Sequence, residues 1–512
     1  MNHRTRNTLR AGAIAASAAV CASLAIAAPA QAAVVVDTTA LQAAVTVEGV
    51  TTHLDAFQAI ADANGDNRAA GTSGHDASVD YVEGLLDAAG YVTERQPFSY
   101  ERTDFGDSAL TQVSPTAVTY VLGVDYFPMD FAGEGDTGDA PVTVVDVNLS
   151  GDRATTSGCD AADFAGFPVG NIALIQRGSC DFAVKADNAD AAGASGVIIF
   201  NQGNVVPGDD RLGLFGGTLG EPVRDIPVVS APFDLGAEWA TTPGLVLRLN
   251  LEAEIVEVET ENLLATTPTG RTDRTVVVGG HLDSVPEGPG INDNGSGTAA
   301  ILETALQMSE LKITPRNQVV FAFWSGEEDG LIGSSYYVSQ LTPREIKDTA
   351  LNLNFDMVGS PNSVNFVYDG DGDALGVAGP NGSGVIEDVF TDYFAAQGVP
   401  SEPTDFDGRS DYFGFIEAGI PAGGLFTGAE GIKSAEQAAL YGGTAGQPYD
   451  PCYHAACDTT ANINDGTLGL MSDAIAHSTL TFAQTTSAIN GTGKGKATGQ
   501  IDWEYKGNRA LR

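Results

Sequence analysis

Five short segments in the second half of the chain carry the residue types that bind metals and move protons. They are His281-Leu282-Asp283, Asn292-Asp293-Asn294, Glu327-Glu328, Asp356 within Asn354-Phe355-Asp356-Met357, and Tyr453-His454. Neutral imidazole and carboxylate oxygen are what zinc takes when no thiolate is offered. His281, Asp293, Glu328, Asp356 and His454 supply enough donor atoms for two metals, each with an open position, when one carboxylate bridges. Glu327 is then left over as a base. Alone, each segment has a plainer reading. A histidine after a strand is mostly a surface or core residue, adjacent glutamates are usually solvated, and Asn-Asp-Asn-Gly is usually a turn. Asp356 is harder to dismiss, because a carboxylate in an apolar run needs a partner.

The elements that must position these groups read as α/β from Thr275 onward. Thr275-Val-Val-Val-Gly-Gly is a buried-type strand, Thr298 to Leu311 a helix with Ala300, Ile301, Ala305 and Met308 on one face, and Gln318 to Trp324 a strand. Leu331 to Leu341 reads as a helix and Ala350 to Phe355 as a strand. Such alternation builds a mostly parallel sheet with helices on both faces. His281, the Glu327-Glu328 pair and Asp356 each follow one of these strands. The carboxyl ends of successive strands converge on the crevice where open α/β sheets bind ligands. Asp293 precedes a helix start and is rimmed by Gly290, Gly295 and Gly297, where backbone approaches closely. Upstream, residues 40–60 and 76–90 carry helical periodicity, with Val79, Val82, Leu85 and Leu86 on one face and Gly90 at the stop.

In order and wording these segments resemble the two-zinc aminopeptidases secreted by bacteria. The resemblance covers residues 40–100 and 260–490, and includes Asn67-Arg68-Ala69-Ala70-Gly71, Gly408-Arg409-Ser410-Asp411-Tyr412 and Cys452-Tyr453-His454-Ala455-Ala456-Cys457-Asp458. It implies a mixed, mostly parallel eight-stranded sheet and a cis peptide at Asp293–Asn294. It implies two zinc ions per chain, one held by His281 and Asp356, the other by Glu328 and His454, with Asp293 bridging. A shared water would be activated there, with Glu327 as general base. Asp283 would accept from the His281 imidazole N–H, although an N-cap or turn aspartate is the plainer reading. Tyr453 would donate to the oxyanion; its alternative is simple aromatic packing. Met357, Phe426 and Tyr453 match an apolar side-chain pocket, yet Met and Phe are equally ordinary core residues. Arg409 matches a residue near the substrate's amino end, with a structural salt bridge as its rival.

Residues 112–255 differ in character, with short β-branched runs and many Gly and Asp turns. The run from Ile172 through Cys180-Asp-Phe to Lys185, then Ala191-Ala-Gly-Ala-Ser-Gly-Val, resembles the protease-associated domain, a β-rich insert without catalytic groups. The expected organisation is a signal peptide (1–32), a first peptidase part (33–111), the insert (112–255), a second peptidase part (256–490) and a tail (491–512). Arg4, Arg6 and Arg10 precede an apolar stretch and an Ala30-Gln31-Ala32 cleavage signal. No other stretch approaches ~20 apolar residues, so the mature chain is expected to be soluble, extracellular and monomeric.

Loss of the signal removes three positive charges and no acid, taking the formal charge from −42 to −45. Such a chain repels phosphate backbones and anionic lipid, which excludes nucleic acid and membrane as expected partners. Cys159, Cys180, Cys452 and Cys457 remain, an even number that in an exported chain favours two disulfides. Sequential pairing is the simplest of the three connectivities; loop entropy gives the short loop about 2 kcal/mol and the longer about 3. Calcium has weaker support. Asp369-x-Asp371-x-Asp373 imitates an EF-hand start, but Ala374 replaces the needed Gly and Pro380 stands where the bidentate Glu belongs, so a plain turn is expected. Asp473 fits a late-helix calcium ligand of some relatives, but Gly469 occupies another such position.

The function expected is hydrolysis of N-terminal, apolar residues from peptides with a free N-terminus. The rivals are a carboxypeptidase on the same scaffold, for which Arg409 would hold the substrate carboxylate, and single-zinc glutaminyl cyclisation. The non-enzyme rival is a binding protein with a dead site that works through its insert.

Overall fold

The structure, a computed structural model, describes residues 36–206, 209–220 and 223–490. The expected signal peptide and tail lie outside the described residues. Eight strands make the larger sheet: β1 (Val92–Ser114), β2 (Val246–Thr266), β3 (Arg271–His281), β4 (Asn317–Trp324), β5 (Thr349–Phe355), β6 (Phe366–Tyr368), β7 (Glu402–Thr404) and β8 (Ala422–Phe426). Their order is β7-β6-β8-β5-β3-β4-β2-β1. β8, β5, β3 and β4 run parallel, β6 and β7 are parallel to each other, and the β8/β6, β4/β2 and β2/β1 contacts are antiparallel. The sheet is therefore mixed and mostly parallel.

Side-chain alternation sorts the central strands onto two cores. Val276, Val278, Phe321, Phe323, Leu351 and Leu353 enter one core, while Val277, Val320, Ala322 and Trp324 enter the other. Burial on both faces explains why these strands read as continuous apolar runs. On the first face pack α1 (Val47–Ala63), α2 (Ser73–Ala89), α3 (Gly297–Glu310), α4 (Ser383–Gln397) and α5 (Asp465–Gln484). α2 starts on Thr72, whose side chain accepts from the His75 N–H, and stops at Gly90, whose φ of 87° a side chain would resist. The other face is covered by helices Ile332–Gln340 and Phe413–Glu417.

The insert is an α/β layer of its own. Strands Ala140–Val145, Ile172–Gln176, Gly196–Phe200 and Val228–Ala231 pair in that order, all parallel. One helix, Phe182–Ala191, crosses between the second and third of these strands, and another, Phe233–Thr241, follows the fourth and leads back toward β2, so the β-rich module also holds helices. The first helix hides its period by burying a lysine among apolar residues. Lys185 is fully buried beside Phe182, Ala186 and Ala189, and its Nζ donates to the Ser157 and Gln176 carbonyls at 2.5 and 3.2 Å. Cys159–Cys180 closes within the insert, and Cys452–Cys457 closes around His454.

No linker joins the two layers. β1 and β2 pair from Val92↔Thr266 out to Ser114↔Val246, and the far end of β2 pairs with Pro141 and Ala140 of the insert. The composition changes at 112 and 255 thus fall inside the two strands of this ribbon, whose register shifts between Phe105 and Ser108 and between Gln112 and Ser114.

Candidate metal centre and active site

Three parallel neighbours, β5, β3 and β4, deliver three of the five segments to one edge. His281 ends β3, Asp356 follows β5, and Glu327 and Glu328 follow β4 after a Ser325-Gly326 turn. The turn before α3 brings Asp293, and a loop closed by Cys452–Cys457 brings His454. His281 Nε2 lies 3.2 Å from Asp293 Oδ1 and 3.4 Å from Asp356 Oδ1. His454 Nε2 lies 3.3 Å from Asp293 Oδ2 and 3.0 Å from Glu328 Oε2. Asp293 therefore stands between two imidazoles with one oxygen toward each. Glu327 is set back, at 3.9 Å from His281 Nε2, yet one of its oxygens shares a 4.8 Å neighbourhood with ligand atoms of His281 and Asp356.

Carboxylates outside this cluster fix its backbone. The two oxygens of Asp283 accept from the N–H groups of Glu327 and Glu328, each at 3.4 Å. The His281 Nδ1 is closer to the Asp283 carbonyl, at 3.1 Å, than to its carboxylate, at 3.7 Å. Asp283 thus serves the imidazole through its backbone and the glutamate pair through its side chain. Asp458 does for Asp293 what Asp283 does for the glutamates: its oxygens accept from the Asn292 and Asp293 N–H groups at 2.9 Å each. Asn462 ties Asp458 to Asp450, and Asp450 in turn accepts from Asn292 Nδ2 at 2.6 Å and Cys452 N at 2.8 Å. The disulfide loop and the Asp293 turn are in this way one hydrogen-bonded unit. The Asp293–Asn294 peptide is cis. Gly290 permits the turn, with φ of 62° and a Cβ position only 2.4 Å from the Asp293 carbonyl.

Arg68 completes the frame. Fully buried, it donates through Nε to the Pro289 carbonyl at 2.9 Å, through Nη2 to Gly290 at 2.7 Å, and through Nη1 to Leu282. Burial pulls its pKa down to about 10 against the pull of Asp283 and Asp458, so it stays cationic at neutral pH. Asp356 is oriented by Ser410, whose hydroxyl donates to Oδ2 at 2.6 Å and accepts from Asn354 at 2.8 Å. Arg409 Nη1 bonds Glu430 at 2.7 Å and Nη2 donates to the Tyr453 hydroxyl at 3.2 Å. Tyr453 stacks on His454 at 3.8 Å. Arg68, Ser410, Asp450 and Asp458 have no place in a ligand set read from residue types; their signal in the sequence is their presence in, or just beside, the motifs that carry the ligands and the family resemblance.

The cluster's charge and unmet bonds fit a cation. Burial lifts Glu327 well above the ordinary glutamate range, with Glu328 and Asp356 adding and His281 opposing. Burial likewise pushes Glu328 up to about 7. Among the described residues, His281 Nε2, His454 Nε2, Asp356 Oδ1 and both Glu328 oxygens are buried without a hydrogen-bond partner. Buried polar atoms are nearly always bonded, and these five belong to the residues whose types suit zinc. His281, Asp293 and Glu328 group as candidate ligands, as do His281, Glu327 and Asp356.

A cavity opens on the cluster, and Met357, Phe426, Arg409 and Tyr453 all line it. A further acidic group forms away from it. Asp369, Asp371 and Asp373 come together with Glu387, which the sequence reading did not include. Asp369 accepts from the Gly372 and Leu375 N–H groups and Glu387 from those of Gly370 and Asp371, so the turn's own backbone uses these carboxylates. Asp473 joins no such group among the described residues.

Residues 262–479 match the model of peptidase family M28, and residues 140–239 match the PA domain. An aminopeptidase of Pseudomonas aeruginosa is 49% identical over 443 residues, 86% of this chain and 82% of that protein. A probable lipoprotein aminopeptidase of Mycobacterium tuberculosis is 42% identical over 88% of each chain. Among solved structures, an aminopeptidase from Aneurinibacillus sp. strain AM-1 superposes with a TM-score of 0.68 at 25% identity, covering 91% of this chain and 99% of that one. The chain belongs to peptidase family M28, as a metallo-aminopeptidase with a PA domain inserted into its fold.

Proposed function

We propose that this protein is a secreted, monomeric, zinc-dependent aminopeptidase that removes N-terminal residues, apolar ones included, from peptides. The observation that carries it is the set of buried, unbonded donor atoms on His281, His454, Asp356 and Glu328 around Asp293. His281 and Asp356 would hold one zinc, Glu328 and His454 a second, with Asp293 shared. Bound zinc supplies Lewis acidity, which polarises a carbonyl and makes water a better nucleophile.

The chain's own groups do the rest. Glu327, raised in basicity by burial, takes the proton of the attacking water and passes it to the leaving amine. Tyr453 donates its phenol proton to the oxyanion, and Arg409, donating to the phenol oxygen, strengthens that donor. Glu327 and Asp356 attract the cationic N-terminus. Ser410, Asp283 and Asp458 keep Asp356, the glutamate pair and Asp293 from turning away from their task. The names of the relatives agree with this reading. Two disulfides, with no helix among the described residues long and apolar enough to cross a membrane, support export.

The carboxypeptidase alternative needs a cation for the substrate carboxylate. Arg409 is already bonded to Glu430, which favours the aminopeptidase. Peptides blocked at one end or the other decide between them. A C-terminally amidated leucyl peptide should be cleaved and its N-acetylated, free-acid counterpart left intact; the reverse pattern would establish the carboxypeptidase.

A further inference from the structure

Resting on the aminopeptidase reading, we propose that the pocket beside the metal centre selects a cationic first residue, lysine or arginine, through Asp405 and Asp407. The cavity that holds Asp293, Glu327 and Asp356 continues along an apolar wall of Met357, Phe426 and Ala429, and its lining also includes Thr404, Asp405 and Asp407. The two aspartates follow β7 and flank Phe406, which is buried at 5% exposure. In extended chain alternate side chains point to opposite sides. Phe406 goes into the core and stacks on Tyr368 at 5.2 Å, and its two acidic neighbours go to the cavity.

Asp407 is a fixed group. Its Oδ1 accepts from the Tyr412 hydroxyl at 2.9 Å and from the Arg409 N–H at 3.1 Å. Among the described residues no hydrogen bond engages its Oδ2. Tyr368, Asp407, Asp356 and Glu327 all line this one cavity. Arg409 is the cation in the lining, and Glu430 holds it at 2.7 Å. Beside the metal-centre residues, the lining thus combines apolar and acidic side chains.

Lysine and arginine suit both, with an apolar stem and a charged tip. Leucine or norleucine would use the wall alone. A lysyl side chain would lay its methylenes on Met357 and Phe426 and bring its ammonium to the aspartates, a charge-assisted contact. Arginine would make the same contact with a planar fork.

The test compares lysyl and norleucyl anilides on the full-length zinc enzyme, since the two differ only by the terminal ammonium. We expect kcat/KM for lysyl to exceed that for norleucyl at least about tenfold at low salt, with the advantage shrinking as ionic strength rises. Asp405→Asn combined with Asp407→Asn should lower the lysyl-to-norleucyl ratio at least about tenfold, roughly one decade of discrimination. Because Asp407 also holds Tyr412, Asp405→Asn alone is measured in parallel and should lower the ratio in the same direction. A wild-type preference for norleucyl at every salt concentration, or a ratio unmoved by both variants, would overturn the proposal. Hydrolysis of neither anilide would sink the aminopeptidase reading itself, a separate result.

Discussion

Glu327 and Glu328 are adjacent in sequence and opposite in setting. Glu328 reaches to 3.0 Å from His454, whereas Glu327 stops at 3.9 Å from His281. On the proposed function Glu328 is therefore a ligand and Glu327 a base. Glu327→Gln should lower kcat by about 10²–10⁴, the usual worth of a positioned base, with both zinc ions retained on elemental analysis. Metal lost together with activity would mean that the two roles are exchanged. Asp458→Ala removes the acceptor for two backbone N–H groups leading into Asp293, and should weaken zinc binding about 10–100-fold in a chelator titration. Unchanged zinc affinity in that variant would show that the turn holds itself. The candidate ligands were legible in sequence because imidazole and carboxylate at strand ends have a defined chemistry. Asp458 and Arg68 were not, because their work is to bond backbone groups, and which backbone they meet depends on contacts about 165 and 214–222 residues away in sequence.

At the scale of elements, the loop from Asp450 to Asp458 is the part most dependent on closure. It carries Tyr453 and His454 between two cysteines, and the flanking acids tie it to the Asp293 turn. Thiol titration of the mature protein, without Cys21, should find no free cysteine. The Cys452→Ser/Cys457→Ser variant should lose far more activity than Cys159→Ser/Cys180→Ser, whose bridge lies within the insert. Equal loss in the two variants would show that the short bridge has no special part in the site. Strands and helices of the peptidase part read well from sequence since both faces of β3, β4 and β5 are buried and their apolar runs are unbroken. The two insert helices did not, because the buried Lys185 interrupts one and the other is a short run, Phe233–Thr241.

For the whole molecule, the relation between insert and site can be tested by cutting the ribbon. Asp104 and Glu254 face each other across it, beyond Tyr100 and Arg102, which bond Asp329 next to the glutamate pair. Replacing residues 105–253 by Asn-Gly should close a two-residue hairpin there and keep those contacts. Hydrolysis of a leucyl amide should stay within about tenfold, ~1.4 kcal/mol in the barrier, while longer peptides change more. A loss of several orders of magnitude in a folded, zinc-loaded variant would make the insert part of the site. The ribbon itself was hidden from a composition reading, because the change in character at 112 and 255 occurs partway along its two strands. The central claim, that zinc held by these five residues hydrolyses peptides from the N-terminus, is tested most directly by removing and restoring the metal. Chelated, dialysed protein should lose leucyl amide hydrolysis at least about a hundredfold, ~2.7 kcal/mol, and recover it as zinc is added up to two equivalents per chain. Full activity in protein shown by elemental analysis to hold no metal would contradict the account.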